Sequence, residues 1–316
     1  MGVWARLGMA IGTVMFLLLQ AAPAAAELAD NLSAYTGRNA QGYFGPLVDA
    51  FAADLNAGTF HSAYIPERGL QLSLEVRAMS VYFSDADRTF IATTEGLFRP
   101  ETTVEAPTVV GRPEVVWVEG VGGTAYAFPS GFGLDSFQFA VPQLRLGSFY
   151  GTEMVFRFAF LDQGNDLLVG DLSLNLWGIG LRHSVSQYLN NDFPVDVAAS
   201  VFWQRFAMEE KERGDDLVTA KTLSIGLQVS KRFAMFEPYA GLAYDRFSLD
   251  ASYEDEGDPT DRVQLGFDRN DIVQLTLGLS FDLAFLNVHG EYNILEDHLQ
   301  TRQDALSVGV ALQYHR

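Results

Sequence analysis

The strongest constraint on this chain is a two-residue rhythm, clearest at its C-terminal end. From Ala305 the sequence reads Ala-Leu-Ser-Val-Gly-Val-Ala-Leu-Gln-Tyr-His-Arg. Leu306, Val308, Val310, Leu312 and Tyr314 share one face, and Ser307, Gly309, Ala311 and Gln313 share the other. Successive side chains take opposite sides in an extended strand. An apolar face set against a small or polar one suits a strand between lipid and a lumen.

The rhythm recurs along the chain. Val273, Leu275, Leu277, Leu279 and Phe281 alternate with Gln274, Thr276, Gly278, Ser280 and Asp282. Leu286, Val288, Gly290 and Tyr292 alternate with Asn287, His289, Glu291 and Asn293. Segments 70–77, 154–160, 195–203 and 222–230 repeat it, and 134–146 and 237–253 are strand-like, the first made irregular by Pro142. In 170–187 the phase slips around Trp177, which reads as a bulge. The segments are long against the roughly 5–6 residues of soluble strands. Charged residues sit mid-strand on the polar face. Both points argue for a transmembrane barrel over a soluble sandwich.

The connections alternate in length. Short turns fall at 147–151, 188–193, 232–236 and 283–286, and longer loops at 162–169, 209–216, 254–270 and 296–302. Short periplasmic turns and longer outer loops are the rule for bacterial barrels. The expected fold is all-β: an antiparallel up-and-down transmembrane barrel over 59–316. About 12 strands are expected, within a range of 10–14 and even in number.

Two regions depart from the hairpin rhythm. In 27–58, Tyr43, Phe44, Leu47, Val48, Phe51 and Leu55 recur at helical spacing. This helix is expected to plug the lumen or its mouth. Residues 84–133 are rich in Gly, Pro and Thr, and are expected to form one irregular hairpin plus an inward-folded loop, with a short strand at Val115–Val118. Before them, Met1–Ala26 reads as a secretory signal: Arg6, an apolar run to Ala22, then small residues at Ala24 and Ala26.

Charge and cysteine content narrow the function. The chain carries −19, and removing the leader leaves 20 basic and 40 acidic residues. That disfavours nucleic acid as a partner, because such binding needs a basic footprint. With no cysteine, the chain has no disulfide or thiolate chemistry. No segment after the leader supplies the roughly 20 apolar residues of a membrane helix.

The polar strand faces supply the expected lumen-lining residues: Glu75, Arg77, Arg157, Gln274, Ser280, Asp282, His289 and Glu291. They are suited to tune a pore or to pair across it. A two-residue turn at Ala284-Phe285 would set Ser280 across from His289 and Asp282 across from Asn287. Such a constellation serves acyl transfer, but the expected reading is a polar lumen network that satisfies itself by hydrogen bonds. The acidic stretch 250–261 offers oxygen ligands at no defined calcium spacing. It reads as a solvated loop. No cofactor, catalytic residue or dedicated metal site is expected.

The chain resembles a family of bacterial outer-membrane barrels of unknown function. The resemblance rests on Gly58-Thr59-Phe60-His61-Ser62-Ala63, Gly69-Leu70-Gln71-Leu72-Ser73-Leu74-Glu75-Val76, Ala106-Pro107-Thr108-Val109-Val110-Gly111, Phe128-Pro129-Ser130-Gly131 and Val141-Pro142-Gln143-Leu144. It implies a fold and an outer-membrane location, but no activity. The end of the chain also resembles the insertion signal of bacterial barrels, with His315 and Arg316 following the usual terminal aromatic, so the assembly machinery is an implied partner. A looser similarity is to outer-membrane transporters of fatty acids and aromatic hydrocarbons, which pair a helical hatch with a barrel. The Asn-Pro-Ala motif of those hatches is missing here, so the analogy is one of fold. The expected function is passage or capture of a small, hydrophobic molecule among lipid and lipopolysaccharide. A non-conducting surface barrel and a lipid-acting hydrolase stand as alternatives.

Overall fold

A computed structural model describes residues 37–161, 172–189, 193–210, 216–255, 258–296 and 302–315. The expected leader and the first part of the expected helix lie outside the described residues. Ten strands close into one antiparallel barrel: β1 (Arg68–Tyr82), β6 (Ser136–Phe149), β7 (Thr152–Leu161), β8 (Leu172–Ser184), β9 (Asp196–Glu210), β10 (Asp216–Ser230), β11 (Phe236–Asp255), β12 (Asp258–Leu283), β13 (Leu286–Glu296) and β14 (Arg302–His315). Each strand pairs with its sequence neighbours in the wall, and β14 closes on β1, with Val76 opposite Val310. Closure joins the two ends of the sheet, as a bilayer demands, and leaves only the upper part of β6 and β7 unpaired among the described residues. Outside, Leu74, Ile179, Leu227, Leu275 and Val310 are exposed in a continuous apolar phase.

The barrel has ten strands, at the low end of the expected range of 10–14 and two fewer than the central expectation of twelve. The difference lies in 84–133, which adds nothing to the wall. Instead of one hairpin and a loop it forms two small sheets, β2 (Thr89–Thr93) with β3 (Thr103–Pro107), and β4 (Val116–Glu119) with β5 (Ala125–Phe128). These strands of four or five residues are too short to cross a bilayer, which takes about 9–11. Their buried members, Ala92, Ala106 and Phe128, join the core of the molecule.

That core is built around helix α1 (Gly37–Asn56), which runs inside the barrel. Phe51 packs edge-on against Phe137 and Phe139 of β6, Phe206 of β9 and Phe247 of β11, walls on different sides of the lumen. The N-terminal turns of α1 meet the β2–β5 segment: Asn39 donates to the Thr93 carbonyl, and the Val109 amide donates to the Tyr43 carbonyl. The β2–β5 segment joins the end of β1 to the start of β6, so α1 enters from the loop side and descends. Gly58 follows at φ +71°, and a Cβ there would lie 2.8 Å from Arg77 Cγ. Only glycine turns the chain at that point without strain or collision.

Three strand readings are corrected. First, 254–270 is no loop. β11 and β12 extend as a ribbon above the wall, and β12 meets β13 only from Val273 down. Leu265 and Phe267, alternating with Gln264, Gly266 and Asp268, bury one face of that ribbon against the α1 core. The acidic side chains from Tyr253 to Val263 lie outside the described residues. Second, β8 carries no bulge, and its register with β7 and β9 is continuous. Leu176 faces inward because the upper lumen around α1 is itself apolar. Third, the phase does flip in β12, where Asp245 pairs with Ile272 but Phe247 pairs with Arg269. Inward positions change there from Leu265 and Phe267 to Ile272 and Gln274, which is how a bulge re-aims side chains.

Turns fall as expected at 150–151, 231–235 and 284–285; the connection from β8 to β9, expected as a short turn at 188–193, is longer and begins with a 3-10 turn at Ser186–Tyr188. Ala284 takes φ +59° in a two-residue hairpin turn, as such tight connections demand.

Candidate functional site

The lumen has two zones. The loop side is apolar and filled by α1. The turn side is polar and is threaded by residues 57–65, which lead from α1 down to β1. Seven of the eight expected lumen residues are buried inside the barrel: Glu75, Arg77, Arg157, Gln274, Ser280, His289 and Glu291. Asp282 is half-buried at the turn-side mouth. The expected plug residues Tyr43, Phe44 and Leu55 are buried, and Leu47 and Phe51 are half-buried against the same core.

Buried charges must be paired and hydrogen-bonded, and the structure shows how. Arg77 holds Glu75 at 2.6 Å and Glu291 at 2.8 Å, and its Nη2 donates to the Phe60 carbonyl at 3.1 Å. Glu291 also accepts from Tyr239 and Ser307. His289 bonds Glu75 at 2.9 Å through Nε2, reaching across β14 at Gly309. A Cβ on Gly309 would lie 2.2 Å from His289 Nε2. The glycine of the closing strand is therefore room for a hydrogen bond.

Arg157 clamps the plug itself. Its guanidinium donates to the carbonyls of Leu55 (3.0 Å), Ala57 (3.2 Å) and Gly58 (3.1 Å), and to Gln143 and Gln204. The last carbonyls of a helix have no partner within it. Arg157 and Gln204, which also donates to Leu55, supply those partners from the wall. On the loop side, Asp49 of α1 accepts from Arg269 at 2.6 Å.

Ser280 does stand opposite His289, and Asp282 opposite Asn287. The bonds run elsewhere. Asn287 donates to both Ser280 and Asp282 at 2.6 Å, and His289 turns Nδ1 to Asn287 and Nε2 to Glu75. The imidazole is thus committed to partners other than the hydroxyl it would have to activate. Tyr292 and Trp203 lie on the lipid face, with Trp203 against Trp177 at 4.7 Å and Tyr292 donating to Asp304.

Sequence reasoning missed a second polar group. Arg182 of β8 donates to Glu153 of β7, to His61 Nε2 and to the Ser62 carbonyl, while Arg145 of β6 donates to Ser73 at 3.0 Å. The signal was present: each is a charged residue in the lumen phase of its strand, as Arg157 is. A cavity of about 440 Å³ opens beside this group on the turn side.

Among the described residues the wall also has a seam. β6 pairs with β7 only from Gln143–Arg157 downward. Above that rung, Ser136–Pro142 pairs with β1 alone, and Phe158–Leu161 pairs with β8 alone. Pro142, which has no N–H to give a ladder, is the first residue above the last rung. Phe137 and Phe139, just above it, contact Phe51 of α1.

Comparison with known proteins gives barrels at low overlap. The chain is similar to the β domain of the Bordetella autotransporter BrkA, with 10% identity, 78% of this chain and 99% of that one covered, and a TM-score of 0.37. It is similar to the translocator domain of NalP from Neisseria meningitidis, with 10% identity, 87% and 100% covered, and a TM-score of 0.31. It is also similar to the toluene transporter TbuX of Ralstonia pickettii, with 12% identity, 78% and 90% covered, and a TM-score of 0.25. No curated protein matches the chain. A family model matches residues 6–313, nearly the whole length, and the chain belongs to that family of unknown function, DUF6588.

Proposed function

We propose that this protein is an exported outer-membrane barrel, closed by its own helix, that captures or passes a small hydrophobic molecule. The observation that carries the reading is the unpaired seam between β6 and β7 beside the Phe51 cluster. An apolar lumen behind an unpaired stretch of wall gives a hydrophobic molecule a lateral way between bilayer and barrel. An aqueous solute gains nothing from such a route. The shift of Phe51 would clear it, with the polar clamp below holding the rest of the plug in place.

A second reading is a non-conducting scaffold. The Arg157 bonds to Leu55, Ala57 and Gly58 favour it, since they tie the plug to the wall. We propose no catalytic role, because the hydrogen bonds of Ser280 and His289 build the lumen network.

The absence of native cysteine makes the test clean. The Gln143–Arg157 register carried up by two residues sets Val141 near Ala159. A Val141→Cys, Ala159→Cys pair joined by a short thiol cross-linker staples the seam. Proteoliposomes holding the barrel should move N-phenylnaphthylamine faster than empty ones, and stapling should abolish the gain. Equal rates with and without protein would establish the scaffold reading.

A further inference from the structure

The turn-side cavity lies at the opposite end of the lumen from the seam. Its wall is mixed. Tyr64, Pro66, Ala234 and Ala284 give an apolar side, and Arg145, His61, Ser73, Asn287 and Gln313 a polar one. Its volume of about 440 Å³ falls within the roughly 300–1,000 Å³ of small-molecule sites.

The four buried arginines of the lumen are unequally satisfied. Arg157 makes five hydrogen bonds, while Arg77 and Arg182 each make three. Arg145, with 4% of its surface exposed, makes one, to Ser73. A guanidinium carries five N–H donors. Glu75 gives its Oε1 to Arg77 and His289, and its Oε2 stands 3.6 Å from Arg145 Nη2, an ion-pair distance beyond a hydrogen bond, while Arg145 Nε has no partner among the described residues.

His61 adds a second spare donor. Its Nε2 lies 2.5 Å from Arg182 Nη1. A guanidinium can only donate, so Nε2 accepts and the ring proton sits on Nδ1. That Nδ1 is buried without a partner among the described residues. The carboxylates of the cavity wall are by contrast engaged, Glu153 by Arg182 and Asp282 by Asn287. Arg232 is held by Glu237. On the cavity wall what is left over is donor capacity, at Arg145 Nε and His61 Nδ1, and a buried donor left unpaired costs free energy.

We propose that this cavity binds a small organic anion, its oxyanion group on Arg145 and the Nδ1–H of His61 and its apolar part against Tyr64 and Pro66. The inference goes beyond the passage reading, since a barrel whose plug never moves would still bind such a ligand from the turn side. A planar carboxylate suits the fork of a guanidinium, and a phosphate group offers the same acceptors.

The test is titration calorimetry on the full chain in detergent, with hexanoate, hexanol and inorganic phosphate in separate arms. Saturable hexanoate binding, weakened at least tenfold by Arg145→Gln and not matched by hexanol, supports the site. Phosphate binding with the same Arg145 dependence supports it with phosphate as the group recognised. If Arg145→Gln loses its heat-modifiable gel shift, Gln313→Glu serves instead. It adds a negative charge to the cavity wall and should weaken whichever anion binds, hexanoate or phosphate, and not hexanol. Hexanol binding as well as hexanoate, no binding of either anion, or anion binding indifferent to the variant would overturn the proposal and leave a water-filled vestibule.

Discussion

The guanidinium of Arg157, on the barrel wall, donates to the carbonyl of Leu55, in the last turn of the helix inside it, at 3.0 Å. Two further carbonyls, Ala57 and Gly58, accept from the same side chain. One residue thus caps a helix and fixes it to the wall.

Replacing Arg157 by Met should leave the carbonyls of Ala57 and Gly58 buried without this donor and Leu55 with Gln204 alone. Each hydrogen bond to a charged group is worth about 1.5–3 kcal/mol, so a loss of several kcal/mol is expected. The check is the urea concentration at which the folded band is lost on a heat-modifiable gel. A midpoint unchanged from the parent would show that the clamp contributes nothing.

Phe51→Ala removes the ring that touches four aromatic rings on three strands of the wall. Buried Phe→Ala changes cost about 3–5 kcal/mol, and a half-buried Phe51 should fall at the low end. The cavity left behind is apolar and beside the seam, so the variant should move N-phenylnaphthylamine faster than the parent. Slower or equal movement would separate Phe51 from the route.

Gly58→Ala tests the turn beneath α1. A non-glycine residue in the left-handed region costs roughly 1–2 kcal/mol, and the new methyl would also press on Arg77. The urea midpoint should drop, and the drop should shrink when Arg77 is shortened in the same chain.

Glu291→Gln breaks one arm of the buried Arg77 pairing. Removing one partner of such a pair costs about 3–5 kcal/mol, while replacing both by apolar residues is often neutral. The double variant Arg77→Met, Glu291→Leu should therefore recover much of the loss. Failure to recover, read on the same gel, would show that Glu291 acts mainly through Tyr239 and Ser307.

How much of this was legible in the sequence depends on which face carried the signal. The wall was legible, because lipid outside and polar lumen inside enforce alternation in β12, β13 and β14. The pairing of Ser280 with His289 followed from one turn. The ribbon of β11 and β12 was hidden because its acidic residues suggested a loop, and its inward phase reverses at Asn270-Asp271. Leu176 looked like a slip because the reading assumed a polar lumen throughout, whereas α1 makes the upper lumen apolar. Arg145 and Arg182 were missed although they obey the rule that found Arg157. The seam was not legible at all beyond Pro142, since pairing between β6 and β7 is a property of the closed barrel and not of either strand.

The central claim is that α1 closes the lumen, and single-channel conductance of the refolded full chain in a planar bilayer tests it most directly. The structure predicts silence from protein whose folding is confirmed by a heat-modifiable gel shift, and ion-conducting steps once Arg157→Met loosens the plug. Steady ohmic steps from the unaltered chain would contradict it.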